Sequence, residues 1–333
     1  MKQKVVVVCP GRGTYNKDEL GYLQRYHGNK AAMLAKIDSH RTKANQTSVT
    51  QLDGMSQYHL KQHTAGENAS SLIYACALGD FYDIDREKYD IVAVTGNSMG
   101  WYIALRCAAV LSEEHAINVI NTMGSMMQNG LIGGQVIYPV IDENWLFDEK
   151  KSAHLTQTVR SIQTRAGCEL YLSIDMGGYK VIGGNELALG LLENQLHRVQ
   201  DRFPMRLYNH GAFHTPLLQR VAEEAKRLLP TSLFAQSTTA LIDGAGKIWS
   251  PHSFALAAIH DYTLGAQVLQ PYYFNRAIEV ALKEFAPDKI IVLGPSAALG
   301  ASIAHTLIQL KWDGIADKAA FLARQASDPY VLS

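Results

Sequence analysis

Nowhere in the 333 residues does an apolar run approach the roughly 18–20 residues that cross a bilayer. An excess of one charge is also missing, since 31 Lys and Arg offset 31 Asp and Glu. That balance argues against a polybasic nucleic-acid groove or membrane patch, though a local basic face could still meet an acidic protein. Cysteine is scarce: Cys9, Cys76, Cys107 and Cys168 are far apart, with no CxxC pair. Three of them lie in apolar stretches, so the expectation is reduced thiols in a cytoplasmic protein. The opening "MKQKVVVVCPGRG" has too few apolar residues before its Pro-Gly turn for a signal peptide and reads as a first buried strand. No internal repeat or low-complexity tract occurs. These absences predict a soluble, monomeric protein with no nucleic-acid or membrane partner.

What is present is a large apolar complement, 47% of residues, enough for a sizeable core. Length suggests about two domains at roughly 150 residues each. The continuous β-branched run at 5–9, "YDIVAVT" at 89–95 and "KIIVLGPS" at 289–296 read as strands covered on both faces. Residues 67–82, 101–110, 113–128, 216–229 and 271–285 read as helices, and 15–62 as helices and loops. Strands alternating with helices predict a doubly wound parallel sheet, with ligands at the strands' carboxyl ends. Three strands end in turns containing Gly11, Gly96 and Gly294, which would converge if the strands are neighbours.

The texture changes near Gly133. Residues 134–207 read as strand, helix, strand, strand, helix, strand, with Asn185 capping the second helix. That order is the split-βαβ, ferredoxin-like pattern. The predicted organisation is an α/β-hydrolase-like parallel-sheet core, residues 1–133 and 208–333, carrying an inserted ferredoxin-like subdomain at 134–207.

Gly96-Asn97-Ser98-Met99-Gly100 fits G-x-S-x-G between a buried strand and a helix. One reading is a turn too tight for bulky residues, with an incidental serine. The other is a nucleophile elbow, in which Ser98 projects at a helix N-terminus and the Met99 amide faces the same space. A serine nucleophile needs a base. His59 and His63 are four apart but lack an acidic third ligand, so solvated helix residues are the simpler reading. His210 and His214 are also four apart, yet Gly211 and a strand exit argue against a helical metal site. His214 stands before Thr215-Pro216, at a strand-to-helix junction like that of Ser98.

The chain resembles the malonyl-CoA:acyl-carrier-protein transacylase family of fatty-acid and polyketide synthesis. The matching stretches are "CPGRG" for F-P-G-Q-G, "GNSMG" for G-H-S-x-G, "GAFHTPLL" for G-A-F-H-S-P-L-M and "LGPSAAL" for V-G-P-G-x-x-L. They occur in the family order, and the inserted unit falls where the family carries its small subdomain. The resemblance implies that Ser98 attacks an acyl thioester and His214 takes its proton, then activates the acceptor thiol. It implies an oxyanion hole from the backbone amides of Arg12 and Met99, and a backbone carbonyl near Tyr273 that holds the histidine. It also implies ping-pong transfer from acyl-CoA to an acyl carrier protein, with no bound metal or cofactor beyond the phosphopantetheinyl carrier.

The chain departs from the family pattern at four positions. Arg12 replaces the glutamine of P-G-Q-G, Asn97 the histidine before the nucleophile, and Tyr273 an aligned late glutamine. Met123 stands where the family's arginine pairs with the malonyl carboxylate. Asn97, Met123 and Tyr273 are therefore candidate acyl-pocket residues. A buried carboxylate without a cation costs several kcal/mol, so the expectation is an acyltransferase that is not malonyl-specific, with Arg12 the one nameable substitute cation. An acyl hydrolase acting on carriers and a non-catalytic carrier-binding relative are the alternatives.

Overall fold

The computed structural model describes residues 2–129 and 132–333. In chain order its strands are β1 (Gln3–Cys9), β2 (Tyr89–Gly96), β3 (Gly134–Pro139), β4 (Leu170–Asp175), β5 (Tyr179–Gly184), β6 (Met205–Arg206), β7 (Ala240–Ile242), β8 (Ile248–Trp249), β9 (Tyr272–Tyr273), β10 (Lys289–Val292) and β11 (Val331–Leu332). They form two sheets. The larger runs β11-β10-β1-β2-β7-β8 and is parallel except for the β7–β8 hairpin. Val5 to Val8 are fully buried at its centre. A β-branched run suits that position, because both faces are covered and each stiff side chain packs with little entropy to lose.

β10, β1 and β2 are adjacent. The turns at Gly294, Gly11 and Gly96 therefore leave neighbouring strands at the same edge, and the sequence-based expectation of convergence is met. The turns after β1 and β2 are also in contact. A Cβ on Gly11 would stand 2.7 Å from the Asn97 carbonyl oxygen.

The smaller sheet runs β6-β3-β5-β4-β9, with β6, β3, β5 and β4 antiparallel. The helices Glu149–Gln163 and Glu186–Gln195 join its strands, giving the expected strand-helix-strand-strand-helix-strand order. Asn185 caps the second helix by accepting from the Ala188 amide. This unit has its own apolar centre, built around Val136, Tyr138, Leu189 and Phe203.

One element differs in kind. Residues 271–273 were expected to begin a helix, but Tyr272–Tyr273 is a strand and the helix is Phe274–Phe285. Proline is compatible with a first helical position, but the two tyrosines pair with Ile174 and Asp175 of β4, and the helix starts only after them. A segment distant in sequence thus forms the edge of the smaller sheet and ties it to the larger one.

Cys9, Cys76 and Cys107 are buried and all four cysteines are free thiols. His63 is a packed core residue: Nδ1 meets the His59 backbone and Nε2 the Leu52 carbonyl. Among the described residues no cluster of His, Cys, Asp and Glu could hold a metal, and no helix is long and apolar enough to cross a membrane.

Gly100 sits at one of the tight backbone junctions of the fold. A Cβ there would lie 2.3 Å from the Cys9 carbonyl oxygen. Forcing atoms into a packed backbone junction typically costs about 1–3 kcal/mol or more. Gly100→Ala should lower the thermal midpoint by several degrees, whereas Gly190→Ala, with open space around it, should not. Differential scanning calorimetry of both variants checks this.

Candidate active site

The chain reverses direction at the end of β2 within four residues. Gly96 and Gly100 are in such close contact that a Cβ on Gly96 would stand 2.4 Å from the Gly100 carbonyl. Between them Ser98 has φ +55°, the left-handed region that a side chain enters only at a cost. The turn is held from outside. The Asn97 amide donates to the Cys9 carbonyl, and the Tyr272 hydroxyl donates to the Gly96 carbonyl at 2.6 Å. The tight-turn and nucleophile readings of this pentapeptide therefore describe one geometry, with the strain holding Ser98 clear of the backbone.

His214 reaches Ser98 from the other side, its Nε2 lying 2.7 Å from Oγ. It too has positive φ, +57°. Its loop is clamped from the smaller sheet: Ser173 of β4 donates to the Phe213 carbonyl, and Gln135 of β3 donates to Ser173. Thr215 donates back to Ala212. His214 Nδ1 lies 2.6 Å from the Gln267 carbonyl oxygen. A carbonyl only accepts, so Nδ1 carries the hydrogen and Nε2 is left as the acceptor for the serine hydroxyl.

Pro271 explains why that carbonyl is available. In a continuing helix it would accept from the amide of residue 271, which proline lacks. The preceding segment Tyr262–Ala266 is a π-turn, a form often found at functional sites. The Gln267 side chain completes the link: Nε2 donates to the Ser98 carbonyl, while Oε1 accepts from the Tyr102 hydroxyl. Trp101 Nε1 donates to Thr263 on the same segment. The helix after the elbow thereby holds the segment that holds the histidine.

Burial pushes His214 down to about 4, with the Gln267 bond opposing the shift, so the ring is a neutral base at pH 7. Ser98 and His214 line a small cavity of about 40 Å³ with Met99, Tyr102, Met123 and Phe213 among its walls. One water needs about 10–15 Å³ on this measure, so the cavity suits a short chain. Ser98, Arg12 and Phe213 also line a second, larger space of about 630 Å³ reaching Tyr179 and Met205 of the smaller sheet. The serine thus stands where a narrow pocket meets a wide cleft.

The other sequence-predicted positions divide. Arg12 and Met99 both line the cavity, and among the described residues neither amide has a backbone acceptor. Met123 is buried in the cavity wall with Met127 one turn away, while Met126 packs against the core. Asn97 faces the cleft instead of the cavity, its buried Oδ1 unpartnered. Tyr273 lines neither space. The carbonyl expected near it belongs to Gln267, and Tyr272 is the residue whose ring lies 5.3 Å from His214. In the short strand β9 adjacent side chains face opposite ways, so an error of one residue reverses the assignment.

The Arg12 guanidinium donates to the Thr64 carbonyl and lies 5.4 Å from the Phe213 ring centroid. Burial lowers it to about 10, still charged at neutral pH. Sequence reading missed Gln267, Tyr102 and Tyr272. The one available signal was Pro271, which marks a carbonyl left without its helical donor.

A serine on a strained strand-to-helix turn, bonded to a neutral histidine oriented by an acceptor, is the arrangement of an α/β serine-nucleophile site. No family model and no curated protein matches the sequence. Solved structures do. The malonyl-CoA:ACP transacylase of Synechocystis matches at TM-score 0.72 and 17% identity, covering 92% of this chain and 94% of that one. The Xanthomonas oryzae malonyl-CoA:acyl carrier protein transacylase matches at TM-score 0.72 and 18% identity, covering 98% and 99%. A type II polyketide synthase malonyl-transacylase, solved in complex with its acyl-carrier protein, matches at TM-score 0.74 and 16% identity, covering 91% and 93%. The chain has the fold of these transacylases.

Two outcomes follow from the geometry. The acid limb of Ser98 modification by a sulfonyl fluoride should centre near pH 4, because the base stays neutral down to that value. A limb near pH 6.5 would contradict the buried setting. The folded value lies below the unfolded one of about 6.5, so the stability from keeping His214 neutral is full above that and is lost as pH falls toward 4. Second, Pro271→Ala returns an amide that competes for the Gln267 carbonyl. Modification should slow on the order of tenfold, about 1.4 kcal/mol, with the circular-dichroism spectrum unchanged.

Proposed function

We propose that the protein is a serine acyltransferase, moving a short acyl group from an acyl-CoA or acyl-carrier thioester to an acyl carrier protein through acyl-Ser98. One observation carries the reading: the 2.7 Å Ser98–His214 hydrogen bond at the junction of a narrow pocket and a wide cleft. Ser98 Oγ attacks the thioester carbonyl as His214 Nε2 takes its proton. The oxyanion meets the amides of Arg12 and Met99, and the thiol leaves with the proton from His214. The carrier's thiol then enters by the same cleft, gives its proton to His214, and takes the acyl group in the reverse sequence. This proposal includes no resident metal or cofactor, and places the protein in the cytoplasm as a monomer.

The acyl group is assigned as short and not restricted to malonyl. The cavity wall that would face its far end carries Met123 and Met127, which are apolar and adaptable. A malonyl carboxylate there would lose water without gaining a cation from this helix. The intact hydrogen bond and strained serine speak against a non-catalytic relative.

The deciding experiment incubates the protein with a panel of acyl-CoA and acyl-carrier donors. Intact mass follows the adduct on Ser98, then its release to carrier thiol or to water. Release to water alone would make the protein an acyl hydrolase, and no adduct with any donor would remove the proposal. Ser98→Ala and His214→Ala should each reduce transfer at least about a thousandfold while the proteins stay folded. Neutral donors should outpace malonyl donors of similar size. Met123→Arg should shift that preference toward malonyl by roughly 10- to 150-fold, the worth of a charge-assisted pair. Efficient malonyl loading by the unaltered protein would overturn the apolar assignment.

A further inference from the structure

A second cavity, of about 210 Å³, lies away from Ser98 where the two sheets' units meet. One wall is the helix Leu299–Leu310 and the other is the segment around Trp145 together with the β4–β5 turn. The turn presses onto the helix through glycine. A Cβ on Gly178 would stand 2.3 Å from His305 Nδ1. His305 is only 4% exposed, yet neither of its ring nitrogens has a hydrogen-bond partner. Its ring meets Trp145 edge-on at 5.1 Å and Tyr179 at 5.6 Å, and burial holds it neutral, lowered to about 4. A neutral imidazole with both nitrogens orphaned is a donor and an acceptor awaiting a partner.

The surroundings indicate what kind of partner. Leu146 and Phe147 line the mouth and stay 42% and 48% exposed, an apolar rim. Lys311 lines the cavity and no acidic side chain does. Among the described residues Lys311 has no ion pair, and neither does Lys318, whose ammonium lies 5.2 Å from the Trp145 ring centroid. Of the nearby acids, Asp313 pairs with Arg324, while Asp317 accepts from the Ala320 amide and Asp142 from the Asn144 and Leu146 amides. Apolar walls, a lysine with no ion pair at the edge and no acidic side chain in the lining, and an orphaned imidazole complement a molecule with an apolar body and a single negative head.

We propose that this seam is a second binding site, distinct from the serine site, for a small aliphatic or aromatic monocarboxylate. Its carboxylate accepts from His305 and pairs with Lys311, and its apolar end covers Trp145, Leu146 and Phe147. No bond is made or broken. The same helix carries Ala301 and Ser302 into the substrate cleft one turn before His305, so an occupant of the seam touches the element that borders the catalytic cleft.

The test is isothermal titration calorimetry of the full chain with hexanoate and with phenylacetate, using hexanamide as the uncharged control. At least one carboxylate should bind, and hexanamide at least tenfold more weakly than hexanoate. Lys311→Gln, on the exposed rim, should weaken carboxylate binding at least fivefold, and His305→Phe at least tenfold, with Ser98 acylation retained in both. Protection of Trp145 fluorescence from acrylamide by the bound acid would place it in the seam. No binding by the wild type, equal binding of hexanamide, or undiminished binding by Lys311→Gln would each overturn the proposal. Should His305→Phe fail to fold, the Lys311→Gln and hexanamide comparisons still decide.

Discussion

The Gln267 carbonyl is the contact on which the reactive geometry depends. Its orientation fixes the tautomer of His214, and the tautomer decides whether Ser98 faces a base or another donor. A carboxylate in the same place would favour the imidazolium by charge. A carbonyl orients the ring and stabilises its positive form only as a dipole, and burial keeps the resting ring neutral. In the proposed reaction that balance would suit a base that takes a proton and surrenders it to a thiol within one cycle.

The rest of the architecture serves that contact from two directions. From the parallel sheet, the contact between the β1 and β2 turns fixes Ser98, with glycine required because backbone meets backbone. From the smaller sheet, Gln135 and Ser173 fix the loop before His214. The Gln267 side chain joins the two halves by donating to the Ser98 carbonyl. Ser98 and His214 are thus held from separate units, and β9, contributed by the later part of the chain to the smaller sheet, ties those units together.

The pocket is decided by less cooperative features. Met123 and Met127 come from one helix at i, i+4 spacing, with Gly124 between them. A Cβ on Gly124 would meet the Gly66 carbonyl oxygen at 2.7 Å, so the helix packs closely against its neighbour and leaves only a short cavity. Arg12 enters from the opposite side, stacked on Phe213 and bonded to Thr64. The positive charge of Arg12 therefore borders both the cavity and the larger space, while Met123 and Met127 line the cavity alone.

Several features were legible from the residues alone. The buried strands, the glycine turns and the inserted split-βαβ unit follow from side-chain identity, through β-branched runs and the absence of Cβ, whereas the pairing of Ser98 with His214 came from the resemblance of "GNSMG" and "GAFHTPLL" to a family's motifs. The carbonyl that orients His214 was not legible, because every residue has one and its availability depends on where a helix ends and which amide is missing. Nor was the choice between Tyr272 and Tyr273, which rests on the pairing register of a two-residue strand with β4. The orphaned state of His305 was equally hidden, since it arises from two distant segments closing on one ring. The sequence by itself determined which groups could react and where the backbone could turn tightly. Only the tertiary structure decided which carbonyl, which tyrosine and which face of each helix met them, because those are contacts between segments about fifty or more residues apart.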